Sequence, residues 1–360
     1  MTSPVTASTR WDARDPDQFL RDALDWHFNP ETGSALWLRI AETLDFDPRT
    51  DISSYEDLAR FPDIAAHLRT SRVEDLIPRG LGRSGAPPLI YETGGTTGSP
   101  KRLIYSASWI ERCLRWKVDE LRAAGFPAGR PWLVAMPSGP HAYGNTARLQ
   151  ARELGSLLHS IDIDPRWVKK SIADGAAVDG YVAHLVEQIG HIVQTQDIAA
   201  VTTTPPILAE IILRPELVDK LAATVSYIAL AGAQLDDDTF DIIAETFPGA
   251  RIQNVYGSTM VLTTARIRDP LDPAPRTVYD AYPPHTIFAV VDPETLRPVD
   301  YGRRGQVRMS HLSDGMFVPN NLERDTAIRV AAPPGGIGDS LSAPQPLGSF
   351  DGETVIPGVY

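Results

Sequence analysis

The segment TGGTTGSPK, residues 93–101, is the most informative stretch of this 360-residue chain. Its three glycines let the backbone turn tightly and present consecutive N–H groups to an anion. The threonine hydroxyls add further donors, and Lys101 adds a positive charge. The spacing does not match the G-x-x-x-x-G-K-S/T pattern of a Walker A loop. Composition alone would fit a flexible surface loop about equally well, but so many donors in one short segment favour a phosphate-binding loop.

Short apolar runs at residues 89–91 and 103–105 flank this segment and predict a strand–loop–strand unit. Farther along the chain, apolar strands alternate with amphipathic helices, which is typical of a parallel sheet with helices on both faces. The predicted strands are 132–136, 157–161, 199–202, 225–231 and 251–256. The predicted helices are 143–154, 181–196, 206–221 and 236–247.

The sequence pattern changes after Thr263. Residues 286–291 and 305–311 are predicted strands joined by turns, which indicates a smaller β-rich subdomain. The Pro- and Gly-rich residues 331–360 contain no helix-length periodic segment. We therefore predict an α/β fold with an α/β core at 1–265, a β-rich subdomain of the same core at 266–330 that completes the nucleotide site, and a C-terminal segment at 331–360.

Composition narrows the functional classes. The formal net charge of −12 argues against a nucleic-acid partner, which would need clustered cations facing phosphates. Cys113 is the single cysteine, so an intramolecular disulfide is excluded, and no Cys/His spacing indicates structural zinc. The polar N-terminus lacks a signal sequence, and no stretch approaches the roughly 20 apolar residues of a membrane span. We expect a soluble, cytoplasmic protein without a membrane partner.

Residues 93–101 resemble the phosphate-binding signature of the adenylate-forming superfamily, which contains acyl-CoA synthetases, nonribosomal adenylation domains and luciferases. Four further segments resemble signatures of that superfamily and follow in the expected order. They are MPSGPHAYGN at 136–145, IALAGAQL at 228–235, NVYGST at 254–259 and NNLERDTA at 320–327. The phenylacetate-CoA ligase-like branch is the most similar in character. The resemblance implies the large N-terminal domain of these enzymes, with parallel sheets sandwiched by helices.

The resemblance also implies an ATP site. Asn254 would recognise the adenine amino group, Tyr256 would stack on the ring, Thr259 would touch the α-phosphate and Asp325 would bind the ribose hydroxyls. Stacking on an aromatic side chain contributes ~1–3 kcal/mol per base, and a carboxylate can accept two hydrogen bonds from a cis-diol. Lys101, Thr259 and His141 would be catalytic, and the other residues expected to bind ATP are Thr93, Gly94, Gly95, Thr96, Thr97, Gly98, Gly232, Ala233, Val255, Gly257 and Ser258.

The acyl pocket is implied by the same motifs. His141 matches the position that gates the pocket in relatives, although a lone histidine outside such a motif would more often be structural. The residues predicted to line the pocket are Tyr143, Gly144, Ala229, Ala231 and Met260. Small apolar side chains leave room for a flat ring, so the resemblance favours an aryl or arylacetic acid.

Other polar clusters have ordinary structural explanations. Asp164 precedes Pro165 and a helix, which predicts a helix N-cap more strongly than a metal ligand. The acidic residues at 236–238 suit the start of a helix, where the dipole favours negative charge. Lys169 and Lys170 are predicted to lie on a solvated helix face.

Two features depart from the family pattern. Relatives usually have a Glu that holds Mg²⁺ where this chain has Met260, whose thioether does not ligate a hard cation. Magnesium would then be held by ATP oxygens, water and Thr97, or by a carboxylate from elsewhere. Relatives also continue past the ribose-binding Asp into a mobile domain with a catalytic lysine. This sequence has 35 residues after Asp325 (360 − 325) and no lysine after Lys220, so we expect that domain to be absent.

Three functional hypotheses remain open. The favoured one is a ligase of specialised metabolism that uses ATP and Mg²⁺ to convert a small, aromatic carboxylic acid to acyl-AMP with release of pyrophosphate. The acyl group would then pass to the hydroxyl or amine of a small molecule. In the second, the acceptor is a thiol of CoA or of a carrier protein, with the mobile domain supplied in trans. In the third, the chain is a degenerate nucleotide- or acyl-binding protein.

Overall fold

The computed structural model describes residues 11, 15–82, 86–95, 99–176, 178–233, 235–271 and 277–347, together with the backbone of 349–350 and 353–354. The chain begins with four helices, which are α1 Pro16–Phe28, α2 Ala35–Ala41, α3 Ala65–Thr70 and α4 Val73–Leu76. Short 3₁₀ turns at Glu56–Arg60 and Arg79–Leu81 lie among them. These helices pack an aromatic cluster against Phe317, whose backbone carbonyl accepts a hydrogen bond from the Trp37 indole at 2.9 Å.

The glycine-rich segment lies between two antiparallel strands, as predicted. They are β1 Leu89–Glu92 and β2 Arg102–Tyr105. Helix α5 (Ala107–Ala123) follows directly, and Ser106 caps its N-terminus by accepting a hydrogen bond from the N–H of Trp109.

A five-stranded parallel sheet forms the centre of the molecule, with strand order β4-β3-β5-β6-β7. Its strands are β3 Trp132–Met136, β4 Leu158–Asp162, β5 Ala200–Thr203, β6 Tyr227–Ala231 and β7 Arg251–Val255. All residues of β3 are buried, and they alternate between two apolar clusters, one on each face of the sheet. Burial on both faces explains the continuous apolar runs of β3 and β6, whereas the edge strands β4 and β7 contain polar, partly exposed residues. The predicted α/β class and the sandwich of sheet and helices are confirmed.

The helices that follow and connect these strands are α6 Ala142–Glu153, α7 Pro165–Ala173, α8 Asp179–Val193, α9 Pro205–Ile212, α10 Pro215–Ala222 and α11 Asp237–Thr246. The single helix predicted at 206–221 is wrong, because the chain forms α9 and α10 there. Proline disfavours helical geometry in the residue before it and has no N–H for the helical ladder, so the helix breaks at Arg214–Pro215. Asp164 caps α7 and Asp236 caps α11, as the sequence predicts.

The remaining strands are β8 Gly257–Ser258, β9 Thr263–Thr264, β10 Arg266–Ile267, β11 Val278–Asp280, β12 Thr286–Val291, β13 Arg304–Leu312, β14 Phe317–Ala331, β15 Asp339–Pro346, β16 Ser349–Phe350 and β17 Glu353–Thr354. A second sheet has the order β10-β11-β15-β12-β13-β14. β15 also pairs with β14, so β12 to β15 form a closed circuit of antiparallel strands. The sequence pattern predicts no strand at β15, yet that strand belongs to the same sheet as β11 to β14.

Where the chain is described, no helix is both long and apolar enough to cross a membrane.

Candidate active site

Two adjoining cavities lie where the ends of the parallel strands meet the glycine-rich loop and β14. The first, here called the nucleotide cavity, has a volume of about 750 Å³. The second, here called the acyl cavity, has a volume of about 510 Å³ and a largely apolar wall. The residues that line both are Gly94, Gly232, Val255, Gly257, Ser258 and Thr259. The two cavities therefore meet at the segments that the sequence motifs single out.

The glycine-rich loop forms one wall of the nucleotide cavity. Its ends are tied together, because the Thr93 N–H donates to the Lys101 carbonyl at 3.0 Å and the Lys101 N–H donates to Thr93 Oγ1 at 3.0 Å. Gly95 has a φ of +65°, a conformation that glycine adopts readily. The loop residues that line the cavity are Thr93, Gly94, Gly95, Ser99 and Lys101. Thr96, Thr97 and Gly98 lie outside the described residues, so the interpretation of those three stays a prediction.

The opposite wall brings together two residues that are far apart in the sequence. The Tyr256 hydroxyl, just after β7, donates to Asp325 Oδ2 on β14 at 3.1 Å. Asn254 lines the same cavity, and its carbonyl accepts a hydrogen bond from the Tyr279 hydroxyl at 3.0 Å. Burial and the nearby Glu323 charge raise the pKa of Asp325 to about 6. The aromatic ring and the carboxylate expected for adenosine thus face one cavity.

The structure adds polar residues to this wall that were not predicted from the sequence. Glu323 Oε1 accepts hydrogen bonds from Ser258 Oγ at 2.6 Å and from Asn321 Nδ2 at 2.9 Å. Arg324 also lines the nucleotide cavity, and burial lowers its pKa. Both residues directly precede Asp325 in the sequence. Their place within the motif at 320–327 was the one available signal.

The turn after β6 contributes the third wall. Gly232 has a φ of +83°, and Ala233 follows it in the lining of the nucleotide cavity. Ala229 and Ala231, on β6, line the acyl cavity instead. The residues before this turn therefore line the acyl cavity, and Ala233 after Gly232 lines the nucleotide cavity.

The acyl cavity also contains the predicted gate. His141 lines it from the N-cap position of α6, and Nδ1 of its ring lies 3.2 Å from the carbonyl of Glu92. Burial and the neighbouring Arg166 charge lower the pKa of His141, which favours the neutral imidazole. Tyr143, in the first turn of α6, also lines the cavity.

Two residues predicted to line the acyl pocket, Met260 and Gly144, lie outside both cavities. Met260 is only 1 % exposed and packs in an apolar cluster with Leu262 and Met316, because it lies in the 3₁₀ turn Thr259–Val261 with its side chain in the core. Gly144 approaches another segment closely, since a Cβ at this position would lie 2.4 Å from Ser138 Cβ. Neither residue lines either cavity.

The interpretation of Lys169 as part of a solvated face is also wrong. Its Nζ donates to the carbonyl of Gly94 at 2.9 Å. Burial, together with Arg324 and Arg166, lowers the pKa of Lys169 to about 7. Lys170, the next residue, is exposed as predicted. The sequence contains no signal that distinguishes the two lysines.

The described residues do not form a complete protein-derived magnesium site, and the interpretation that ATP oxygens, water and Thr97 hold Mg²⁺ stays a prediction. Met260, at the position of the usual Glu, is buried and offers only a thioether. The described part of the chain contains no group of three or more His, Cys, Asp or Glu residues placed to hold a metal. Glu323 and Asp325 are the carboxylates of the β14 wall, and both already accept hydrogen bonds.

No protein-family model and no curated protein matches this sequence. Solved structures do match. The chain superposes on 2-hydroxyisobutyryl-CoA ligase in complex with 2-HIB-AMP and CoA in the thioesterification state, with a TM-score of 0.65 and 17 % identity over 98 % of this chain and 71 % of that one. The same ligase with R3-HIB-AMP in the postadenylation state gives a TM-score of 0.63 and 15 % identity, over 99 % and 75 % of the two chains.

An open conformation of that ligase, with 2-HIB-AMP and CoA, gives a TM-score of 0.60 and 16 % identity over 99 % of this chain and 83 % of that one. At such low identity the likeness concerns the fold. The superpositions cover nearly the whole of this chain, so the shared fold includes both the parallel sheet and the β-rich part. This chain has the α/β fold of the adenylate-forming acyl-CoA ligases, as its sequence motifs predict.

Proposed function

We propose that this chain is an ATP-dependent ligase that activates a small carboxylic acid as its acyl-AMP and releases pyrophosphate. The observation that carries the proposal is the junction of the two cavities. One cavity has a glycine-rich loop, a lysine, an aromatic ring and a buried carboxylate, which suit the phosphates and the nucleoside of ATP. The other has an apolar wall and meets the first at Thr259.

The chemistry needs no nucleophilic side chain. A carboxylate oxygen of the acid attacks the α-phosphorus in line, a new C–O–P linkage forms, and the bond from the α-phosphorus to the pyrophosphate oxygen breaks. Negative charge develops on phosphate oxygens, where loop N–H groups and Lys101 would stabilise it. Thr259 lies at the junction and would contact the α-phosphate. ATP and the acid are the substrates, and the described residues are not assigned to a metal.

For the acid we propose a flat aromatic ring. Trp132, Tyr143 and Tyr227 line the acyl cavity beside the small Ala229 and Ala231. Aromatic faces and small residues together favour a planar guest over a long flexible chain. The gate would be the neutral His141 ring at the mouth of the cavity.

For the acceptor we propose the hydroxyl or amine of a small molecule, in a biosynthetic step of specialised metabolism. A small nucleophile needs to reach only the junction of the cavities, where the acyl carbonyl of the intermediate would lie. A thiol acceptor is the second candidate. It is favoured by the neighbouring ligase, whose structure contains both an acyl-AMP and CoA.

The test of activation is ATP–pyrophosphate exchange with benzoic, hydroxybenzoic, aminobenzoic, phenylacetic and short aliphatic acids. We expect exchange with at least one aromatic acid and less with the aliphatic ones. If the chain binds nucleotide but catalyses exchange with none of these acids, the ligase hypothesis is wrong and the binding-protein hypothesis takes its place. Product analysis with hydroxylamine, glycerol and CoA as competing acceptors then separates the two acceptor classes, since efficient acyl-CoA formation would contradict the small-molecule acceptor.

A further inference from the structure

Helix α7 contacts the phosphate loop through two side chains that the proposed function does not use. Arg166 Nη2 lies 2.6 Å from Glu92 Oε2, directly before the loop. Lys169 Nζ donates to the Gly94 carbonyl, within the loop, at 2.9 Å. The two side chains are three positions apart and therefore lie on one face of the helix. α7 thus holds the start of the loop at two neighbouring points.

The Lys169 contact fixes the direction of one peptide group. In a trans peptide the C=O and the N–H point in opposite directions. Because the Gly94 carbonyl faces Lys169, the N–H of Gly95 in the same peptide faces away from α7. Gly95 lines the nucleotide cavity, and Lys169 does not. The contact therefore selects the orientation in which this N–H is offered to an anion in the cavity.

The charged form of Lys169 is destabilised at this contact. Burial disfavours its charged form, and the guanidinium groups of Arg324 on β14 and Arg166 on its own helix repel it. Glu92, on β1, is engaged by Arg166 and by Arg102 of β2. A neutral hydrogen-bond donor could bind the Gly94 carbonyl without these penalties.

The acidic residues on the far wall do not remove this cost. Glu323 and Asp325 lie beside Arg324, whose charge they stabilise. The two charged groups that shift the pKa of Lys169, Arg324 and Arg166, are both positive, so an anion that enters the cavity would favour its charged form. Polyphosphate is the anion that the loop suits.

We propose that Lys169 is a positioning residue for the nucleotide phosphates: it orients the Gly94–Gly95 peptide and supplies a positive charge that becomes fixed when a nucleoside triphosphate binds. The inference rests on the proposed function, since it requires phosphates at this loop. Its consequence is a proton linkage. Below about pH 7 Lys169 is already charged, whereas above that pH the binding of ATP must bring a proton with it.

The experiment measures ATP binding without any acid, so that no turnover occurs. Isothermal titration of the full chain with Mg-ATP at pH 6.5 and 8.5, in two buffers of different ionisation enthalpy, gives the affinity and the number of protons taken up. The variants are Lys169→Met, Lys169→Arg and the matched control Lys170→Met, which removes the same charge from the exposed neighbouring position. Thermal unfolding of each variant reports whether it is folded.

We expect the wild type and Lys170→Met to take up a proton at pH 8.5 and to lose affinity by up to about tenfold per pH unit above pH 7. Lys169→Met should bind ATP about 10- to 100-fold more weakly at pH 6.5, without that proton. Lys169→Arg should bind at both pH values without proton uptake, because arginine stays charged.

Unchanged affinity and proton uptake in Lys169→Met would overturn the inference while leaving the ligase proposal intact. If Lys169→Met does not fold, the test depends on Lys169→Arg. Proton uptake by Lys169→Arg would then overturn the inference. Loss of proton uptake in Lys170→Met would also contradict the assignment. No ATP binding by the wild type at either pH would instead refute the proposed function itself.

Discussion

At the scale of single residues, the site depends on side chains whose neighbours in space are remote in sequence. Tyr256 and Asp325 are 69 positions apart and share a hydrogen bond, and Lys101 lines the same nucleotide cavity. Each of these residues is expected to contribute to ATP binding through a different interaction. Substitutions of single residues can therefore separate the effects of charge and hydrogen bonding on ATP binding from the effect of packing on stability.

Lys101 provides the test of the loop. We expect Lys101→Ala to weaken ATP binding about 10- to 100-fold, because one charge-assisted contact to phosphate is lost. Binding of the carboxylic acid, measured by fluorescence titration, should change far less. Lys220→Ala is the control, since it removes an exposed charge from α10. Equal ATP affinity of wild type and Lys101→Ala would remove the loop from the mechanism.

Asp325 should make ATP binding depend on pH in the acidic range. Its pKa is raised to about 6, and its ionised form is the one that can accept hydrogen bonds from both ribose hydroxyls. Affinity for ATP should therefore fall as the pH decreases through 6. Asp325→Asn should bind more weakly at pH 7 and show no such decrease. If the ATP affinity of Asp325→Asn still falls as the pH decreases through 6, a group other than Asp325 causes the pH dependence.

Met260 offers a test of packing. Because its side chain lies in the apolar core, Met260→Glu should bury a charge and lower the free energy of unfolding by several kcal/mol. Met260→Leu conserves the volume and should cost less than about 1.5 kcal/mol. Urea unfolding followed by circular dichroism measures both. A stable Met260→Glu variant with a lower magnesium requirement would instead show that the position reaches the nucleotide.

At the scale of elements, β15 connects the β-rich sheet to the nucleotide cavity. Residues 344–346 of this strand line the nucleotide cavity. Asp339, at its start, accepts hydrogen bonds from the Val290 N–H at 3.0 Å and from Arg329 Nε at 2.8 Å. One buried carboxylate thus joins β15 to β12 and β14.

Asp339→Ala should therefore act on both stability and binding. Removal of one partner of a buried ion pair costs about 3–5 kcal/mol, and the loosened strand should also weaken ATP binding. The control is Asp300→Ala at an exposed turn. Thermal unfolding and calorimetric titration measure the two effects, and full stability of Asp339→Ala would contradict the anchoring role.

At the scale of the whole molecule, local patterns determined most of the α/β part. Strands β3 to β7 lie within about two residues of their predicted bounds. The signal is clearest at β3 and β6, because strands buried on both faces leave continuous apolar runs. The ordered motifs predicted the fold that the solved ligases share. Prediction failed at α9 and α10, where Pro215 breaks the helix, and at β15, whose composition resembles that of a loop.

The sequence by itself determined the glycine-rich loop between two strands, the order of its companion motifs and the parallel sheet, because each depends on short-range spacing or backbone freedom. Tertiary structure alone decided which way individual side chains face. It placed Met260 in the core, Lys169 against Gly94, and β15 beside the nucleotide cavity. The physical reason is that burial and long-range pairing are properties of the packed chain: two adjacent lysines look alike in sequence until one helix face meets the loop.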